Sequence, residues 1–145
     1  MLSFKQFLLE NEKAAFRKGN HLFAMDDEGA LFHRSASLHS EAFPDMFDAE
    51  DGPSGGVLAW GRIGWDDKGN GIVSVTTDAG RQPGESMFLK GNKKALENDI
   101  FTRVRAIEEI EKEYPDTTLL IHHGPNVMHT PREHKKHLMS LLGES

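Results

Sequence analysis

The 145 residues of this chain include no cysteine. That absence removes disulfide frameworks, thiolate metal sites and thiol nucleophiles together, and it fits a reducing compartment. Long hydrophobic runs are missing too, so no segment approaches the length of a membrane span. The N-terminus lacks a basic head, a long apolar run and a small-residue cleavage site, which predicts a protein that is not secreted. Basic residues are the minority, 17 against 23 acids for a net charge of −6, and a phosphate backbone would be repelled by the average surface. Nucleic acid is therefore a disfavoured partner. No Gly-x-Ser-x-Gly elbow or Walker loop occurs, and Gly61, Gly64, Gly69 and Gly71 lie in a hairpin pattern rather than a strand-to-helix phosphate turn. The acids Asp45, Asp48, Glu50 and Asp51 lack the alternating ligands and terminal glutamate of a calcium loop.

What remains is an ordinary globular composition, 37% hydrophobic and 28% charged, at a length that predicts one domain. The negative charge is local. Between Asp26 and Asp67 ten acids face only Arg34 and Arg62, whereas from Arg81 onward acids and bases balance. Acidic loops of this kind are either solvated turns or a surface for a basic partner.

Periodicity orders the chain. Met1 to Lys18 reads as an amphipathic helix, with Ser3 and Gln6 forming a capping box, Phe4, Phe7 and Leu8 on one face, and Gly19 as the stop. His21 to Met25 and Ala30 to Arg34 form a hairpin around Asp26 to Gly29. Ser35 to Gly56 is a long connection with a short helical turn near Asp45 to Ala49. Val57 to Trp65 and Gly71 to Thr77 give the clearest hairpin, joined by Asp66 to Asn70; Met87 to Leu89 adds an edge strand. A long helix runs from Lys93 to Tyr114 with Leu96, Ile100, Val104 and Ile107 inward and Arg103 and Arg105 outward, capped by Asn92 and ended by Pro115. Thr117 to His122 returns as a strand. Thr130-Pro131-Arg132-Glu133 then starts a helix to Leu142. The expected fold is an α+β domain over residues 19–145, a mainly antiparallel sheet of hairpins packed against the long helix and the C-terminal helix.

Met1-Leu2-Ser3-Phe4-Lys5-Gln6-Phe7-Leu8-Leu9-Glu10 resembles the capsid-targeting peptide that T-even-like contractile-tailed phages, cyanophages among them, place on internal capsid proteins. Phe4, Lys5, Phe7 and Leu8-Leu9-Glu10 carry the match. The resemblance implies cleavage between Glu10 and Asn11 by a prohead protease, and a protein packaged in the capsid interior or acting in the infected-host cytoplasm. It covers only those residues. A capped amphipathic helix of this length is marginal alone and gains stability by docking on a partner. The leading reading is thus a phage accessory protein that meets a protein partner or a second copy of itself.

Two constellations carry chemistry. Five of the eight histidines, His122, His123, His129, His134 and His137, fall in the last 24 residues. Neutral imidazole is the commonest nitrogen ligand for zinc, and His134 and His137, three apart on one helix, are the candidate metal pair. Against a metal stand the absence of an established ligand spacing and the two neighbouring cations Lys135 and Lys136. Solvent-exposed polar helix residues are the alternative account. The second constellation joins Arg81, in a Gly/Pro loop after one strand, to His122 and His123 at the end of another, as candidate catalytic residues for a small enzyme, with metal-assisted hydrolysis as its reaction. Turn formation alone also explains both loops. No organic cofactor is indicated.

Overall fold

A computed structural model of the protein describes residues 21–48, 52–81, 91–123 and 127–143. The N-terminal helix and targeting peptide expected over Met1 to Lys18, and the edge strand expected at Met87 to Leu89, lie outside those residues.

In chain order the elements are β1 (His21–Asp26), β2 (Leu31–Ser35), α1 (His39–Ala42), β3 (Val57–Trp65), β4 (Gly71–Thr76), α2 (Lys93–Glu113), β5 (Leu119–His122), β6 (Met128–His129) and α3 (Pro131–Gly143). The six strands form one sheet in the order β2-β1-β3-β4-β5-β6. The sheet is mixed, which corrects the expectation of a mainly antiparallel stack of hairpins. β4 and β5 run parallel, with Gly71 opposite Leu119 and Val73 opposite Ile121. The reason is the length of α2: its 21 residues carry the chain back across the sheet before β5 begins, and a parallel pair needs such a crossover.

Local chemistry sets the element ends. Asn92 Oδ1 accepts from the Ala95 backbone N–H at 3.0 Å to start α2. At α3, Thr130 Oγ1 accepts from Glu133 N–H at 3.2 Å while Glu133 Oε1 accepts from Thr130 N–H at 3.0 Å, a reciprocal capping box. A short helix forms at His39–Ala42, and a hydrogen-bonded turn follows at residues 44–46, where Met46 and Phe47 N–H donate to Phe43 O; of the turn expected near Asp45 to Ala49, Ala49 lies outside the described residues.

Both faces of the sheet are covered at its centre. Phe23, Met25, Ala59, Ile63, Val73, Val75, Leu119 and Ile121 pack against Ile100, Ile107 and Ile110 of α2 and Leu138 of α3. On the opposite face Leu22, Ala24 and Val57 pack against Ala42, Phe43 and Phe47. β1 is consequently apolar on both sides, a continuous run rather than an alternation. Gly61 of β3 has no room for a side chain between its neighbouring strands, since a Cβ there would sit 1.8 Å from the Ser74 carbonyl oxygen of β4 and 2.9 Å from the Phe23 ring of β1.

One residue of α2 departs from the sequence expectation. Arg103, expected on the solvent side, is only 2% exposed, and its partner Asp99 8%. Arg103 Nε donates to Asp99 Oδ2 at 2.8 Å, Nη2 donates to Gly80 O at 2.7 Å and to Thr77 Oγ1 at 3.1 Å, and Nη1 donates to Arg81 O at 3.2 Å and Val75 O at 3.4 Å. The Thr77 hydroxyl donates in turn to Asp99 Oδ1. Four of the five guanidinium contacts go to β4 and the turn after it and the fifth to Asp99 on α2 itself, so Arg103 locks that turn to α2.

Candidate metal centre

The carboxyl ends of the parallel strands β4 and β5 lie at one edge of the structure, the edge at which open sheets with parallel strands place their ligands. The histidines gather there for reasons of register. Ile121 faces the core beneath the helices, and His123, two residues on, falls on the same side. His123 N–H donates to Val127 O at 2.8 Å, closing a short return that pairs His129 with Ile121. A cross-strand neighbour shares its partner's face, so His129 also points toward α3. On α3, His134 lies one turn inside the Thr130 cap, and Leu138, one turn further, is buried in the core. His134 therefore faces the sheet and is 5% exposed.

Three elements thus deliver three imidazoles to one point. Ligand nitrogens of His123, His129 and His134 all lie within 4.8 Å of one another. His129 Nδ1 and His134 Nδ1 share a hydrogen bond at 3.3 Å. Zinc–nitrogen bonds of about 2.0–2.1 Å at a tetrahedral angle separate two donor atoms by about 3.3–3.4 Å, so this pair is already spaced as metal ligands are. His123 Nδ1 is buried with no hydrogen-bond partner, and a metal would engage it by coordination. His123 and His129 rings stack at a centroid distance of 4.9 Å. His137 packs edge-on against His123, 4.4 Å between centroids, but does not belong to the ligand set.

Electrostatics keep these rings ready for a metal. Burial pushes the His134 imidazole down to about 4, with further lowering from His123, His129, His137 and Arg103. Burial also lowers His123, followed by repulsion from His137, His129 and His122. Both rings are depressed toward the neutral form, the form that binds a metal.

The five sequence candidates separate as follows. His123 and His134 belong to the ligand set; His137 lies beside it. His122 falls on the other face of β5, where strand alternation puts it. Arg81 sits at the same edge with its carbonyl held by Arg103, and its side chain is exposed. Sequence reasoning did not assign His129 a role, since a two-residue strand gives no periodic signal; its one clue was its place directly before the capping box. Lys135, set against a cation, instead reaches Glu111 of α2 at 3.0 Å. The remaining histidines are engaged elsewhere. His39 Nε2 is 3.1 Å from Gly61 O. His21 Nε2 is 2.8 Å from His33 Nδ1, and His33 Nε2 is 3.4 Å from Glu113.

No helix among the described residues is long and apolar enough to cross a membrane. The chain matches no family model, no curated protein and no solved structure.

Proposed function

We propose that this protein binds a divalent transition metal, with zinc as the reference ion, through His123, His129 and His134. The observation that carries the reading is the convergence of three imidazole nitrogens, from the residue after β5, from β6 and from α3, within 4.8 Å. Nitrogen donors select zinc, copper, nickel or iron over magnesium and calcium, which take oxygen. Because the ligands come from separate elements, metal binding ties α3 to the β5–β6 edge and stabilises the folded state. Calorimetric titration of chelator-treated protein with zinc chloride tests this. One equivalent binds to the wild type; His134→Ala and His129→Ala lose most of the affinity. Absence of stoichiometric binding, or binding unchanged in both variants, overturns it. At about a hundredfold excess of zinc over its dissociation constant the gain is about 2.7 kcal/mol, or roughly 5–10 °C in Tm.

Metal-assisted hydrolysis is a second reading of the same centre, favoured by the position of Arg81 at the edge where His123 leaves β5. Bound zinc activates water or polarises a carbonyl, and an exposed arginine in the turn after β4 suits an anionic substrate if its side chain reaches the centre. The wider biological reading is a phage accessory protein that binds a protein partner or itself, in the capsid interior or the host cytoplasm. Its support is the Met1 to Glu10 resemblance and the acidic first half of the chain. Mass spectrometry of protein recovered from phage particles tests packaging: a chain starting at Asn11 is expected, and an intact N-terminus there defeats it.

A further inference from the structure

We propose that the His123–His129–His134 centre keeps one coordination position for an exogenous anionic ligand, with His137 flanking that position as a positioning residue rather than filling it. The proposal rests on the metal reading above. Its first support is the donor count. Three imidazoles converge, and among the described residues no fourth histidine, aspartate or glutamate joins them. Structural zinc centres close with four protein ligands, whereas three leave a place for water or substrate.

The second support is charge. Three neutral imidazoles cancel none of a divalent ion's charge, so the occupied centre carries +2. The nearby carboxylates are committed elsewhere. Glu133 caps Thr130, Glu111 pairs with Lys135, and Asp99 is held by Arg103 and Thr77. A +2 centre with no carboxylate among its ligands selects an anion with an oxygen or nitrogen donor.

The third support is the placement of His137. Its ring meets His123 at 66° and His129 at 61°, with centroids 4.4 and 5.7 Å away, and lies 6.4 Å from His134. It therefore borders the two half-buried ligands more closely than the buried one, and is itself only half-buried. An imidazole there can hydrogen-bond a ligand on the metal and orient it.

The test uses the full chain loaded with cobalt(II), whose visible absorption reports coordination, and sodium azide as the anionic probe. Azide is expected to change the wild-type spectrum saturably. His137→Ala, or His137→Gln should the alanine variant fail to fold, is expected to bind one equivalent of cobalt and to bind azide about tenfold more weakly. A wild-type spectrum indifferent to azide overturns the open position, and a response appearing only in the His137 variants shows that His137 closes the centre. Equal azide affinity in wild type and variants overturns the positioning role. Failure of cobalt to bind at all instead refutes the underlying metal reading.

Discussion

Replacing Arg103 by leucine removes the tie between α2 and the turn after β4, and the cost follows from its contacts. The guanidinium makes five hydrogen bonds between 2.7 and 3.4 Å, four of them to groups on β4 and the following turn. Leucine satisfies none of these, and it leaves the Asp99 carboxylate, 8% exposed, with the Thr77 hydroxyl but no cation. An uncompensated buried charge of this kind costs about 3–5 kcal/mol, a large share of the roughly 5–15 kcal/mol that holds a domain together. With a urea m-value of about 1–3 kcal/mol/M, the unfolding midpoint falls by about 2 M. The double variant Arg103→Leu, Asp99→Leu removes the orphaned charge together with its partner, and it recovers at least half of the loss. Urea unfolding followed by far-ultraviolet circular dichroism measures both. A single-variant loss below about 1 kcal/mol, or a double variant no better than the single, refutes the claim that a buried ion pair fastens the turn to α2.

Three further outcomes follow from local geometry. His21 is pushed down to about 4, by burial first and then by His33, so its folded form resists a proton that the unfolded chain accepts near 6.5. Its stabilising effect is complete above pH 6.5 and disappears as the pH falls toward 4; allowing for partial exposure, this is about 1 kcal/mol, which His21→Gln removes from the acid dependence of urea stability. An unchanged dependence in that variant contradicts the assignment. Thr130→Ala deletes the cap that starts α3 and costs about 1 kcal/mol in urea unfolding, with a few-fold loss of zinc affinity because the first turn holds His134; Thr130→Asp restores both. Gly61→Ala forces a methyl to within 1.8 Å of the Ser74 carbonyl, and a destabilisation of about 2 kcal/mol or more is expected; a neutral effect on Tm shows that β3 and β4 can separate there.

Much of the domain was legible one segment at a time. Asn92 and Thr130 start helices by local hydrogen bonds, Pro115 follows the end of α2, and the Asp66 to Asn70 turn closes its hairpin through Asp66 Oδ1 and the Lys68 and Asn70 N–H groups. Such signals act within four or five residues and need no tertiary context. Arg103 was misread because helical periodicity places a residue on a face by its polarity, and an arginine fully paired inside is invisible to that logic.

By itself the amino-acid order determined the two central hairpin strands, the long helix and the C-terminal helix, and that imidazoles crowd the last part of the chain; the parallel pairing of β5 with β4 came only with the tertiary structure. Tertiary structure alone decided which imidazoles meet. His123 and His129 share a face through a cross-strand register that no short-range rule sets, and His134 joins them only because Leu138 anchors α3 in the core. The two Nδ1 atoms of His129 and His134 stand 3.3 Å apart through the packing of β6 against α3, and distance, unlike composition, decides whether a metal can bridge them.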